Sequence, residues 1–125
     1  MSPRQTLAAG ALWAALAVLL GAFAAHALQD TLLERVQLAN WHTAVRYQMW
    51  HALALCLVGV LRERHGGLRF ATWAFLVGSL CFSGSIYCLA FDLLRPLMIP
   101  LTPLGGTLLI AGWISLASWA LRGRD

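Results

Sequence analysis

The chain has 125 residues, of which 60% are apolar and 11% charged, with a mean hydropathy of +0.71 and a net charge of +4. Soluble domains carry about 25% charged residues, so this chain has too little polar surface to cover a water-facing globule, and an integral membrane protein is expected. All the positive charge is arginine, set at the ends of apolar segments, which argues for loops at lipid headgroups and against nucleic acid as a partner.

The uncharged run from Thr6 to Ala25 follows Arg4 and precedes Ala25-His26-Ala27, the layout of a secretory signal with its cleavage site. Signal cores span about 7 to 15 residues, this run is longer, and three more apolar segments follow. A retained first span over residues 6–28 is expected. Ala14, Ala17, Gly21 and Ala25 give it small residues at helical spacing, a face another membrane helix can approach closely. From Leu28 to Asn40, Asp30, Glu34, Arg35 and Gln37 interleave with Leu32, Leu33 and Val36. Thr31 and Glu34 fit a capping box, which predicts a short interfacial helix between spans 1 and 2, with a solvated loop as the alternative.

The richest chemistry lies in Trp41 to Leu53, which feeds the second span, residues 44–61. At about 100° per residue, Thr43, Tyr47 and His51 share one helical face, with Gln48 at its edge. Arg46 points away from it. That arginine is expected to snorkel to the headgroups or to pair with Asp92 or Glu34, an anionic lipid or substrate contact being the sharper alternative. Gly66-Gly67 predicts a turn. The third span, residues 70–91, carries Gly78, Ser79, Ser83, Gly84, Ser85 and Tyr87, suited to hydrogen-bonded helix packing.

Pro96, Pro100 and Pro103 predict a stiff connector. Thr102 is expected as N-cap and Pro103 as the first residue of the fourth span, residues 103–121, with Gly105-Gly106 pointing to a close approach. Cys56, Cys81 and Cys88 all lie within apolar segments. Cys81 and Cys88 would stand about 10 Å apart along one helix, beyond disulfide reach, so no disulfide framework is expected.

Arg4, Arg62, Arg64, Arg69, Arg122 and Arg124 fall on one side of this layout, against Arg35, Arg46 and Arg95 on the other. The positive-inside rule then puts both termini in the cytoplasm. The expected fold is all-α: a single four-span membrane domain over residues 1–125, folded as a four-helix bundle.

Gly21-Ala-Phe-Ala-Ala-His-Ala-Leu28, Trp41-x-Thr-Ala-Val-x-Tyr-Gln-Met-x-His-Ala-Leu53, Ser83-Gly-Ser-x-Tyr87 and Thr102-Pro-x-Gly-Gly106 together resemble a family of small membrane proteins that includes bacterial YgdD and transmembrane protein 256. The four motifs run in order over nearly the whole chain. Ala24 departs from the family's glycine in the first of them. The resemblance implies a four-span protein, with bacterial members in the inner membrane, and implies no particular activity.

A ligand site near the outer leaflet is expected from His26, Thr43, Arg46, Tyr47, Gln48, His51, Ser83, Ser85, Tyr87 and Thr102. His26 and His51 fall at similar depths in an antiparallel hairpin, so their imidazoles are expected to approach. Ionisable groups within a span are costly and mark functional candidates. No catalytic motif is present, which favours an accessory or scaffolding role in which the protein binds a larger membrane partner or lipid. The alternative is a ligand, ion or proton path through the polar pocket, built as a homo-oligomer. No cofactor is expected: His26 and His51 without a carboxylate or cysteine array make a poor haem or metal site.

Overall fold

Ser2 starts the first helix. Its Oγ accepts the Gln5 N–H at 3.2 Å while Gln5 Oε1 accepts the Ser2 N–H at 2.8 Å, a reciprocal cap that satisfies two otherwise free donors. The computed structural model describes residues 1–28 and 35–123. Within them run α1 (Pro3–Phe23), closed by a π-helical turn over Ala24–Leu28, then α2 (Arg35–Arg64), α3 (Arg69–Ala90) and α4 (Arg95–Arg122). Each of these four helices is long and apolar enough to cross a membrane. The protein is an all-α membrane protein of four spans.

Two boundaries differ from the expectation. The second span was expected from residue 44, behind a separate interfacial helix, but α2 is continuous from Arg35. No glycine or proline stands between Val36 and Ala44 to stop a helix from propagating backwards, so Val36 to Asn40 are simply its first turns. The capping box of Thr31 and Glu34 lies outside the described residues. The fourth span was expected from Pro103, with Thr102 as its cap, but α4 begins at Arg95 and carries Pro100 and Pro103 inside it. Pro96 sits in the first turn, where an N–H has no helical acceptor to lose. Membrane helices tolerate further prolines because neighbouring side chains satisfy the freed carbonyls and the surrounding helices hold the chain in place.

The turns are tight. Gly67, at φ 94°, turns the chain after α2, and Leu68 follows in the left-handed region at φ 62°. Between α3 and α4, Asp92 and Leu94 adopt φ 55° and 48°. Left-handed conformations of this kind cost of order 1–3 kcal/mol each in a non-glycine residue. Asp92 pairs with Arg95 at 3.1 Å, both well exposed, worth at most about 1 kcal/mol.

The helices pack in chain order, α1 on α2, α2 on α3 and α3 on α4. Among the described residues α1 and α4 do not form a packed pair, so α2 and α3 make the centre and the other two flank it. Glycines set the closest approaches. A Cβ at Gly10 would stand 2.8 Å from the Ala52 carbonyl oxygen, and one at Gly105 would stand 2.5 Å from Phe82 N. The close approach expected at Gly105 is thus present. The small face expected on the first span is used at Ala17, which is fully buried, and at Gly21, which faces Val45, whereas Ala25 is exposed. Apolar cores centred on Leu55, Val58, Phe75 and Leu109, and on Ala24, Trp41 and Ala90, fill the bundle.

Arg62 ties one end together. Its guanidinium donates to Thr6 Oγ1 at 3.0 Å, to Thr72 Oγ1 at 3.1 Å and to the Met1 carbonyl at 2.9 Å. The start of α1, the end of α2 and the start of α3 therefore share one level. The fork of donors on arginine suits such a three-way junction.

Candidate functional site

Successive turns of α2 present different side chains to its neighbours. Trp41, Val45, Gln48, Ala52, Cys56, Gly59 and Arg62 recur at three- and four-residue steps, and this stripe meets α1. Tyr47 and His51, about 100° and 60° around the helix from Gln48, turn instead toward α4. The polar residues expected in one pocket are therefore divided between two flanks of the α2–α3 pair.

On the α1 flank, Gln48 is fully buried and bridges three helices. Its Nε2 donates to the Trp13 carbonyl at 3.0 Å, and its Oε1 accepts the Tyr87 hydroxyl at 2.7 Å. Trp13 Nε1 in turn donates to Ser79 Oγ at 2.7 Å. Trp41 lies against Tyr87 with ring centroids 4.5 Å apart and donates its indole N–H to the Leu20 carbonyl at 3.0 Å. Where no water competes, bonds between membrane helices contribute about 0.6 kcal/mol each on average, up to roughly 1.7.

On the α4 flank, His51 is 4% exposed and lies roughly midway along α2. An indole N–H can only donate and a carbonyl oxygen can only accept. Trp113 Nε1 therefore donates to His51 Nε2 at 3.1 Å, and His51 Nδ1 donates to the Tyr47 carbonyl at 2.7 Å. The neutral Nδ1–H tautomer fits both bonds. Tyr47, Trp50 and His51 of α2, Phe82 of α3 and Gly106, Leu109, Ile110 and Trp113 of α4 surround a cleft of about 350 Å³.

The remaining expected site residues serve the helices themselves. Ser83 donates to the Ala44 carbonyl at 2.8 Å, joining α3 to α2. Ser85 shares a 2.6 Å hydrogen bond with Thr102, joining α3 to α4, and Thr102 also reaches the Met98 carbonyl at 3.4 Å. Thr43 bonds the Ala39 carbonyl of its own helix. Arg46 is exposed and donates to the His42 carbonyl, while Asp92, one of its two expected partners, is held by Arg95.

His26 lies exposed on the π-helical turn, and the expected meeting of the two imidazoles does not occur. Taking Thr6 and Arg62 as level, His26 and His51 differ in depth by about 14 Å at 1.5 Å per residue. The antiparallel argument failed because α2 starts earlier than expected, which places His51 mid-span. Both ring nitrogens of His51 are engaged within the bundle.

Trp13, Trp113 and Arg62 were not singled out from the sequence. A signal existed: tryptophan concentrates at membrane interfaces, so an indole N–H placed mid-span needs a buried acceptor.

Comparison with known proteins decides the family. The description "Protein of unknown function (DUF423)" matches residues 20–106. The chain belongs to the DUF423 family. It is 40% identical over 108 residues to a UPF0382 membrane protein of Staphylococcus haemolyticus, covering 86% of this chain and 87% of that one. It is 39% identical over 116 residues to the UPF0382 membrane protein YwdK of Bacillus subtilis, covering 90% and 93%. A UPF0382 membrane protein of Schizosaccharomyces pombe is 37% identical over 110 residues, covering 85% and 92%. No solved structure matches. The DUF423 match includes Gln48, His51, Ser83, Tyr87 and both Gly105 and Gly106, and stops short of Trp113.

Proposed function

We propose that this DUF423 protein is an accessory or scaffolding component of the bacterial inner membrane that docks a transmembrane helix of a larger protein. The observation carrying this reading is a second small-residue face on α1. Ala8, Ala11, Ala15 and Ala22 are all exposed and fall within about 60° of one another around the helix. The inner face, with Gly10 and Ala17, is already occupied by α2. A second helix can pack closely on the outer face, its alanine Cβ atoms keeping it farther out than α2 stands at Gly10. The buried polar side chains Gln48, His51, Ser83 and Ser85 support the same reading, since each bonds a neighbouring helix. A continuous path through them gains no support, because Gln48 and Tyr87 lie on one flank and His51 and Tyr47 on the other.

Both termini lie on the cytoplasmic side in this reading. Arg4, Arg62, Arg64, Arg69 and Arg122 belong to one end of the bundle, and Arg46 and Arg95 to the other, a bias that favours the arginine-rich end inside.

Photo-crosslinking in the native membrane tests the docking face. A photoreactive residue at Ala11 or Ala15 is expected to give one discrete adduct with a larger membrane protein, whereas the same residue at Ile114 on α4 gives none. Adducts to lipid alone from Ala11 and Ala15 would contradict the proposal.

A further inference from the structure

The cleft between α2 and α4 has three features that helix packing does not account for. Its walls open sideways into the hydrocarbon layer: Trp50 is 53% exposed, Ile110 63% and Trp113 45%. It spans the part of the bundle from Trp113, about 14 Å above the end of α4, to Tyr47, about 26 Å above the end of α2. It is therefore reached from within the bilayer.

Gly106 is the second feature. The neighbouring Gly105 is required by packing, since a Cβ there would collide with Phe82 N at 2.5 Å, but a Cβ at Gly106 would meet the Phe82 ring at 3.6 Å, an ordinary contact. A helix-interior glycine costs about 1 kcal/mol relative to alanine. At Gly106 that cost is not offset by a closer helix, and what the missing side chain provides is room in the cleft wall.

The third feature is polar. Every buried side-chain nitrogen and oxygen among the described residues has a hydrogen-bond partner. The Tyr47 hydroxyl bonds none of the described residues, so it keeps contact with the space outside the protein, and Tyr47 lines the cleft. In hydrocarbon an O–H group without an acceptor is costly. The His51 nitrogens cannot supply one, as both are engaged. The neighbouring surfaces are flat: Tyr47 packs on Phe82 with centroids 4.7 Å apart and stacks on His51 at 6.0 Å.

We infer that this cleft is a lateral binding site for a lipid-soluble molecule with a flat ring bearing a hydrogen-bond-accepting oxygen and an apolar tail. The ring lies among Trp50, Phe82 and Trp113, the Tyr47 hydroxyl donates to its oxygen, and the tail leaves past Ile110 into the bilayer. A volume of about 350 Å³ lies within the usual range for small-molecule pockets, roughly 300–1,000 Å³. A phospholipid chain would fill the space but leave the hydroxyl without an acceptor. The site does not depend on the docking face of α1, so either can fail alone.

Native mass spectrometry of the detergent-purified protein titrated with a decyl-substituted benzoquinone tests the inference, with decylbenzene as the probe that keeps the tail and lacks the oxygens. One saturable quinone adduct per chain is expected, with decylbenzene at least about tenfold weaker. Tyr47→Phe is expected to weaken the quinone about five- to tenfold, and Gly106→Leu to abolish the adduct while the melting profile stays cooperative. Should Gly106→Leu not fold, Ile110→Trp narrows the cleft from its lipid-facing rim and is expected to weaken binding. No saturable adduct, equal binding of the two probes, or quinone affinity unchanged by Tyr47→Phe and by the cleft-filling variants would each overturn the inference.

Discussion

Tyr87 of α3 donates its hydroxyl to Gln48 of α2 across 2.7 Å, and the same amide donates onward to the backbone of α1 at Trp13. One side chain thus fixes the rotation of three helices about one another.

Removing the phenol leaves Gln48 Oε1 buried without a donor. Tyr87→Phe is expected to lower unfolding free energy by about 1–2 kcal/mol, measured by denaturant titration in micelles. The double variant Tyr87→Phe with Gln48→Leu removes both partners and is expected to lose less than the two single variants added together.

The paired glycines of α4 give opposite expectations. Gly105→Ala places a Cβ against Phe82 backbone nitrogen and is expected to cost about 1–3 kcal/mol by forcing α3 and α4 apart. Gly106→Ala meets only ordinary contact with the Phe82 ring and is expected to be neutral or to stabilise by up to about 1 kcal/mol. Thermal unfolding of the two variants side by side checks the contrast.

His51 is expected to be the neutral Nδ1–H tautomer. Nitrogen NMR of histidine-labelled protein distinguishes the two ring nitrogens directly, and Trp113→Phe should alter the Nε2 signal while sparing Nδ1. A proton found on Nε2 in the unaltered protein would contradict the Trp113 bond.

Arg62→Lys keeps the charge but cannot reach Thr6, Thr72 and the Met1 carbonyl together, as the ammonium has no planar fork. The start of α1 is expected to loosen, with amide exchange at Gln5 and Thr6, whose N–H groups bond Ser2, accelerated roughly fivefold, equivalent to about 1 kcal/mol.

Much of the fold could be read from the sequence because apolar length is a coarse signal: segments of about 20 residues with flanking arginines announce membrane spans. The family resemblance was also legible, and the match to the family and its relatives bears it out. Boundaries were harder. Pro100 and Pro103 read as a connector because an interior proline in a soluble helix loses a backbone bond and clashes with the preceding turn, and water readily solvates the chain that unwinds there, whereas hydrocarbon offers no such solvation and neighbouring helices hold the chain helical. Leu28 to Asn40 read as an interfacial helix because charge and apolar residues alternate there, and that pattern does not say whether the following helix has already begun. The site was legible by residue type but not by partner. Gln48 and His51 stand three residues apart, so a small error in helix rotation decides whether they face one pocket or two, and only the positions of α1 and α4 settle it. Trp113 escaped because it is one aromatic among many in an apolar span.

The most direct test of the accessory role is native mass spectrometry of the protein released gently from its own membrane, since one spectrum reports stoichiometry and co-purifying subunits together. A complex with a larger membrane protein, lost when Ala11 and Ala15 are replaced by tryptophan, is the predicted result. A monomer or homo-oligomer that carries no other protein, and that is unaffected by those replacements, would contradict it.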